Sequence, residues 1–450
     1  MLFNSLAFLA FLPIFMIAYW STKGRVRLWV MLVASLVFYA WWDWRFCFLL
    51  LFSALVDYSL GILLENERDD ALRRRLIIIS VAVNLGLLGF FKYFNFFVGQ
   101  ATGIALRIVL PVGISFYVFK TMSYTIDVYR RTQAAERDLL RFTTFVVFFP
   151  ELVAGPIVRA SRLLPQLARD HRFSYARMVS GLTLIASGYV RKVAIADSIA
   201  PLVDIRFAHP EAHNSWSLLI GVYLYAFQIY CDFSGYSSIA IGLARVLGFD
   251  FGINFDRPYF SSSFSEFWKR WHISLSSWLR DYLYIPLGGS RGGTWRTYRS
   301  LMITMLLGGL WHGANWTFVF WGALHGTYLV VERAFPRRII PRALSILLVF
   351  HLTCFAWVFF RAHSFSNAWE VLTGIASMRG SLADVENRWR TLKCAVMIAV
   401  MLAFEAAAFV PKWRTAEVSP AMRLAFVGAC AWVVLIFGTF SGNNFIYFQF

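Results

Sequence analysis

Residues 306–326, LLGGLWHGANWTFVFWGALHG, place two histidines in an uncharged, largely apolar stretch long enough to cross a bilayer. The histidines are His312 and His325, and the amide of Asn315 lies between them. An ionisable side chain at membrane depth is costly to bury, so it indicates a functional site. Neutral imidazole accepts a proton near neutral pH, as a general base does. The stretch therefore predicts that His312 is the reactive centre of a membrane enzyme.

Two pairs of glycines with G-x-x-x-G spacing flank the histidines: Gly309 with Gly313, and Gly322 with Gly326. This spacing lets neighbouring helices approach closely. On one straight helix, His312 and His325 would lie about 20 Å apart along the axis. We therefore expect the two histidines to occupy separate sites unless the glycines break the helix.

The composition predicts an all-α, polytopic membrane protein. The 450 residues are 59% hydrophobic and 15% charged, whereas soluble domains have about 25% charged residues. Apolar runs of near-spanning length recur along the chain and predict roughly 11 transmembrane helices plus re-entrant segments. No soluble domain stands out, so residues 1–450 are interpreted as a single integral membrane domain.

Basic residues dominate the charge, with a net charge of +18. They lie in short loops between apolar runs, where Lys and Arg mark the cytoplasmic side and contact lipid, so no nucleic-acid partner is inferred. Lys23, Arg25 and Arg27 follow a first apolar run that has no cleavage site, which predicts a retained span with its N-terminus outside.

Two broken segments are predicted to lie inside the helical bundle. Residues 110–130 begin with Pro111 and Gly113 and carry several polar groups, so we expect them to be buried or to line a cavity. Residues 145–159 are too short and too rich in proline and glycine for a regular span, which favours a re-entrant segment.

Asp232 and His272 are further candidates for chemistry. Asp232 lies at YCDFSGYS, where Gly235 suggests a helix break between two apolar runs; it either binds a polar group or ends a helix at the interface. His272 lies among tryptophans and basic residues in 264–293, the composition of a membrane interface or a funnel wall. It is either an interfacial hydrogen-bonding group or a catalyst.

Other chemistries find little support in the sequence. The chain has no G-x-S-x-G elbow, and the basic loop GGSRGGTWRTYR is not a P-loop, although its arginines suit cofactor phosphates. His209 and His213 lie four apart, but Pro210 separates them and no third ligand is evident. The five cysteines form no C-x-x-C pair. We infer neither a metal site nor a tightly bound cofactor.

Together these stretches resemble the membrane-bound O-acyltransferase family, in its bacterial alginate O-acetyltransferase branch. The matching segments cover nearly the whole chain in order: FNSLAFLAFLPIF, LPVGISFYVFKTMSYTIDVYR, ELVAGPIVR, RKVAIADSIA, QIYCDFSGYSSIAIG, FWKRWHISLSSWLRDYLYIPLGGSR, GGLWHGANWTFVFWGALHG, WVFFRAHSFSNAW and the terminal FIYFQF.

The resemblance implies helices around a central funnel, with His312 as the essential catalytic residue and His272 as the family's second histidine. It implies acetyl-CoA as a cytosolic acyl donor, the bacterial inner membrane as the location, and an extracytoplasmic acyl-accepting partner of the SGNH type that esterifies an exported polysaccharide such as alginate or cellulose. Asp232, Asn315 and Trp311 lie in matching segments and are candidate substrate-binding residues without a defined role.

Two other functions stay open. D-alanyl transfer to teichoic acid, in a related branch of the family, would take its acyl group from a carrier-protein thioester. A non-enzymatic transporter of a lipid-linked sugar would need a polar path and no dedicated catalytic histidine.

Overall fold

The computed structural model describes residues 1–104, 106–152, 155–335, 340–407, 409 and 418–440, and these residues form helices and no strand. They divide into two compact units, 1–185 with 237–252, and 186–236 with 253–450. The prediction of one domain over 1–450 is not tested by this division. The terminal FIYFQF stretch lies outside the described residues.

The first unit is built mainly from the N-terminal helices. Their bounds are α1 Leu6–Ser21, α2 Gly24–Asp43, α3 Arg45–Asn66, α4 Asp70–Leu88, α5 Gln100–Thr102, α6 Ile114–Tyr129, α7 Leu139–Val147, α8 Phe149–Leu152 and α9 Ala160–Leu167. Helix α10, Tyr175–Tyr189, begins in this unit and continues into the second.

The second unit contains every candidate site residue. Its helices are α11 Asp197–Ala208, α12 Ser215–Val246, whose last residues belong to the first unit, α13 Phe264–Arg270, α14 Ile273–Leu279, α15 Thr294–His312, α16 Trp316–Ala334, α17 Arg342–Arg361, α18 Phe365–Ala376, α19 Arg388–Ala407 and α20 Pro420–Phe437. A π-helical segment, Val190–Ala196, joins α10 to α11, and another, Arg280–Tyr284, follows α14.

Seven helical segments within the described ranges are long and apolar enough to cross a membrane. They are Gly24–Asp43, Arg45–Asn66, Asp70–Tyr93, Tyr175–Ala208, Ser215–Val246, Arg342–Arg361 and Pro420–Phe437. The all-helical, multi-pass class is therefore confirmed. The count of about 11 spans stays a prediction.

Helix α6 shows that the central part of residues 110–130, expected to be buried or to line a cavity, is buried. Twelve consecutive positions, from Ile114 to Thr125, are shielded from solvent, including Lys120. Gly113 begins the helix with a φ of +76°, and a Cβ there would collide with the carbonyl of Leu152. Only glycine meets both demands without strain.

A buried hydrogen-bond network joins three helices of the first unit. The Asp57 carboxylate on α3 accepts hydrogen bonds from Ser80 Oγ at 2.7 Å and from Asn84 Nδ2 at 2.8 Å, both on α4. Thr121 on α6 donates to Asn84 Oδ1 at 3.0 Å. Because a buried polar group without a partner is costly, this network fixes the mutual register of the three helices.

The segment predicted to be re-entrant contains short helices instead of a regular span. Helix α7 ends at Val147, and α8 covers only Phe149–Leu152. Glu151 is buried and forms an ion pair with Lys120 of α6, whose ammonium group also donates to the carbonyl of Phe145. The ion pair anchors the short helix to α6.

Helix α12 is continuous, so the predicted break near Gly235 is wrong. The helix runs unbroken from Ser215 to Val246. A Cβ on Gly235 would lie 2.8 Å from the carbonyl oxygen of Gly188 and 3.0 Å from the nitrogen of Lys192. The glycine therefore permits two helices to approach closely, and its small size explains its presence.

The stretch 306–326 is two helices instead of one. Helix α15 ends at His312, Gly313 and Asn315 have extended backbones, and α16 begins at Trp316. A Cβ on Gly309 would come within 3.2 Å of the Cα of Gly322. The glycines thus bring the two arms of a helical hairpin into backbone contact, as their spacing predicted.

Candidate functional site

His312 is the last residue of α15, and aromatic rings surround it. Its ring centroid lies 5.0 Å from that of Trp311, 5.1 Å from that of Trp321 on α16, and 5.2 Å from that of Phe360 on α17. The side chain is buried. Three helices therefore hold the imidazole in one orientation, which a general base needs.

His325 lies close to the same cluster because the chain reverses after His312. Its ring is 4.8 Å from Trp321 and 5.1 Å from Trp268. Trp321 thus contacts both histidines. The two histidines are therefore not separated as they would be on one straight helix. The alternative expectation, a helix broken at the glycines, is confirmed.

His272 lies at the start of α14 in an unusual backbone conformation. Its φ is +42° and its ψ is +56°, in the left-handed region that non-glycine residues seldom adopt. Its fully buried ring lies 4.5 Å from Phe233 and 6.1 Å from Trp311. Backbone strain of this kind is often found at functional sites. Trp311 contacts both candidate histidines and so links them.

A cavity of about 510 Å³ opens beside His312. Its apolar walls come from α14, α15 and α16 and include Leu275, Met305 and Trp321. Gly308 also lines it, so the wall there consists of backbone alone. His272 is absent from the lining that the described residues form. The structure therefore gives His312 direct access to the cavity, whereas the buried His272 lies outside the lining that these residues form.

Three exposed cations line the same cavity: Lys269, Arg280 and Arg333. The hydrogen-bonded carboxylate of Asp281 raises the pKa of Arg280, which keeps that guanidinium charged. The cavity thus combines apolar walls beside His312 with a rim of three cations and one carboxylate, Glu332, which we call the cationic rim for its net positive charge. This arrangement suits a ligand that has a small acyl end and an anionic body.

Glu332 of α16 attaches α13 to the hairpin. Its carboxylate accepts hydrogen bonds from the backbone nitrogens of Phe264 at 2.5 Å and Ser265 at 3.1 Å. These nitrogens belong to the first turn of α13, where backbone donors lack helical partners. Because Lys269 lies on α13, Glu332 also positions part of the cationic rim.

Asp232 lies on α12 in a buried charge cluster. Lys192 of the π-helical segment is 2.6 Å from Asp232 and 2.8 Å from Asp197. All three side chains are buried. The next residue after Asp232 is Phe233, whose ring packs on His272. Asp232 thus adjoins the site through its chain neighbour Phe233.

Asn315 acts as the N-cap of α16. Its Oδ1 accepts a hydrogen bond from the nitrogen of Thr317 at 3.1 Å, and its Nδ2 donates to the carbonyl of His363 at 3.0 Å. Both ends of the amide therefore stabilise the turn after His312. The predicted role in substrate binding is not tested by this geometry.

Sequence reasoning missed Trp321 and Lys192. Trp321 lies four residues before His325 and on the same helix face, but its contact with His312 depends on the hairpin. Lys192 lies in the segment RKVAIADSIA, where no sequence pattern indicates that it pairs with Asp232. Among the described residues, no group of three or more His, Cys, Asp or Glu side chains is arranged to hold a metal ion.

Comparisons with known proteins identify the family of the chain. The profile of the membrane-bound O-acyltransferase family matches residues 131–362, more than half of the chain. A probable alginate O-acetylase of Azotobacter vinelandii is 46% identical over an alignment of 424 residues that covers 89% of this chain and 83% of that protein.

More distant relatives also match. A peptidoglycan O-acetyltransferase of Helicobacter pylori is 35% identical over 84% of this chain and 80% of its own length. A teichoic acid D-alanyltransferase of Streptococcus thermophilus is 30% identical over 50% of this chain and 58% of its own length. The resemblance predicted from the sequence is confirmed, and with it the predicted enzyme class, an O-acetyltransferase. The chain belongs to the membrane-bound O-acyltransferase family.

Proposed function

We propose that this protein takes an acetyl group from cytosolic acetyl-CoA and passes it across the bacterial inner membrane for O-acetylation of an exported polysaccharide, such as alginate or cellulose. The observation that carries the proposal is the cavity in which His312 lies beside a cationic rim. Coenzyme A is a phosphate-rich anion attached to a small thioester, and the cavity offers complementary groups for both ends.

In this mechanism His312 is the general base. The acetyl thioester lies in the cavity with its carbonyl near the imidazole, and an acceptor hydroxyl approaches. His312 removes the hydroxyl proton as the oxygen attacks the carbonyl carbon, and the carbon–sulfur bond then breaks. The proton held on His312 passes to the departing thiolate. A covalent acyl-histidine intermediate is the alternative route to the same products.

His272 has a supporting catalytic role in this proposal, through its contact with Trp311. Trp311, Asp232 and Asn315 are proposed to shape the substrate path. We assign the acceptor side to an extracytoplasmic partner of the SGNH type that delivers the acetyl group to the polysaccharide. The N-terminus is then periplasmic, as the basic residues after α1 predict.

The relatives favour acetyl transfer over D-alanyl transfer. The two acetyl-transferring relatives align with more than four fifths of this chain, whereas the D-alanyltransferase aligns with half of it. A transporter without catalysis is less well supported, because a buried histidine lines the cavity.

The experiment is to measure ester-linked acetate on the host's extracellular polymer in a chromosomal His312→Ala strain. We expect loss of at least about a hundredfold, the contribution of a general base, with normal membrane abundance. His351→Ala is the matched control, because His351 is exposed on α17.

Wild-type acetylation in the His312→Ala strain would refute the catalytic assignment. A deletion strain tests the polymer itself. If deletion removes D-alanyl esters and leaves acetyl esters unchanged, the donor assignment is wrong. If deletion changes no ester on that polymer, the polymer is not the substrate.

A further inference from the structure

A second cavity, of about 990 Å³, lies between α19 and α20, and we call it the α19–α20 groove. Each helix presents one apolar stripe to it. The stripes are Leu392, Val396, Met397, Val400, Met401 and Phe404 on α19, and Phe426, Ala429, Cys430, Val433 and Phe437 on α20. Several of these side chains are exposed, so the groove is an open apolar surface that an apolar ligand can cover.

The inner end of the groove is polar but internally neutralised. The Glu405 carboxylate accepts a hydrogen bond from Tyr230 at 2.5 Å and lies 3.5 Å from the guanidinium of Arg191. Arg257 forms an ion pair with Asp256 at 2.7 Å. Two cations match two carboxylates, so this end does not require a charged ligand.

The outer end of the groove has an excess of positive charge. Lys393 lines it and donates to the carbonyl of Phe437 at 3.1 Å, and no carboxylate of the described chain forms an ion pair with it. Arg388, Trp389 and Arg390 lie one turn earlier and are exposed. Basic and tryptophan side chains together mark the surface of a membrane. The carboxylate of the nearby Glu386 lies beside His213 instead of these cations, so the outer end keeps its positive charge.

The distance between the two ends corresponds to one leaflet. Lys393 and Glu405 are separated by roughly 18 Å along α19, at 1.5 Å per residue, and the apolar core of one leaflet is about 15 Å thick. A lipid acyl chain extends over one leaflet, so a single chain can follow both stripes from Lys393 to Glu405.

We propose that the α19–α20 groove binds an anionic phospholipid, with an acyl chain along the two apolar stripes and its phosphate at Lys393. The site lies apart from the cavity of His312, and its lining includes neither His312 nor His272. Anionic lipids attract basic residues at the membrane surface. The lipid would fill the space between the two helices.

Cys430 provides a probe, because it lines the groove and is nearly buried. The test uses full-length protein in which Cys47, Cys231, Cys354 and Cys394 are replaced by Ala. The rate at which N-ethylmaleimide modifies Cys430 is measured in detergent micelles containing phosphatidylglycerol or phosphatidylcholine. We expect phosphatidylglycerol to slow the reaction about fivefold more than phosphatidylcholine, the factor that one lysine contributes at an anionic surface.

Charge variants test the headgroup contact. Lys393→Glu should abolish the preference for phosphatidylglycerol, Lys393→Gln should reduce it, and Lys393→Arg should retain it. The matched control is Lys23→Glu, an exposed basic residue outside the groove, which should leave the preference unchanged. Each variant must elute as a single species from a size-exclusion column. If Lys393→Glu misfolds, Lys393→Gln tests the headgroup contact instead.

Native mass spectrometry gives a second readout, because Ala429→Trp should fill the groove and reduce copurified phosphatidylglycerol. If both lipids protect Cys430 from N-ethylmaleimide equally, and Lys393→Glu does not change this, the headgroup contact is refuted. Absence of protection by either lipid would refute the lipid site. Protection only by an added single-span peptide would instead identify a helix as the occupant.

Discussion

His312 and Trp321 lie with ring centroids 5.1 Å apart, although one ends a helix and the other belongs to the next helix in the chain. The contact depends on the hairpin after His312, where Gly309 and Gly322 let the two backbones touch. Trp321 also contacts His325, so a single indole links the catalytic candidate to a second buried histidine. The hairpin is therefore the element on which the site depends.

The hairpin glycines should not tolerate a methyl group. A Cβ at Gly322 would collide with the carbonyl of Met305, and one at Gly309 with the carbonyl of Phe318. Because backbone atoms do not move aside easily, we expect Gly309→Ala and Gly322→Ala each to destabilise the protein by about 1–3 kcal/mol. Thermal unfolding in detergent measures this. Gly86→Ala, whose Cβ would meet no atom within 4 Å, should be neutral or slightly stabilising.

The backbone of His272 allows its ring to be tested separately. Asn tolerates the left-handed conformation better than most residues, so His272→Asn should fold normally. We expect it to lower acetyl transfer by about tenfold to a hundredfold, less than the loss in His312→Ala. The measurement is acetyl transfer per folded molecule. Full activity in His272→Asn would show that only packing requires the histidine.

The cationic rim should contribute to donor affinity more than to the chemical step. Exposed ion pairs contribute up to about 1 kcal/mol each, so Lys269→Glu with Arg333→Glu should raise the KM for acetyl-CoA several-fold and change kcat little. The increase should shrink at high salt, because exposed charges are screened. Arg68→Glu, outside the cavity, is the control. An unchanged KM would argue against donor binding at this rim.

The Lys192–Asp232 pair should be essential as a pair. Removing one partner of a buried ion pair costs about 3–5 kcal/mol, because the other charge is left without compensation. Lys192→Met and Asp232→Asn should therefore each lower the unfolding temperature. Asp197 keeps a carboxylate beside Lys192, so Asp232→Asn should be the milder change. If Asp232 acted only on substrate, Asp232→Asn would lower acetyl transfer and leave the unfolding temperature unchanged.

The sequence alone determined the class of this protein and the residues worth testing. Its hydrophobic content predicts a multi-pass helical membrane protein, because the bilayer admits few other arrangements of apolar segments. A histidine inside an apolar run stands out for the same reason, so His312 is visible from composition. The matching segments predict the family because they occur in order over nearly the whole chain.

Only the tertiary structure decided which of these residues lie together. Periodicity does not distinguish a glycine that breaks a helix from one that lets two helices touch: Gly313 ends α15, whereas Gly235 lies inside an unbroken α12. The neighbours that surround each glycine determine the outcome, and they come from distant parts of the chain. The cavity of His312, its cationic rim and the linking position of Trp311 likewise exist only after α13 to α16 have packed together.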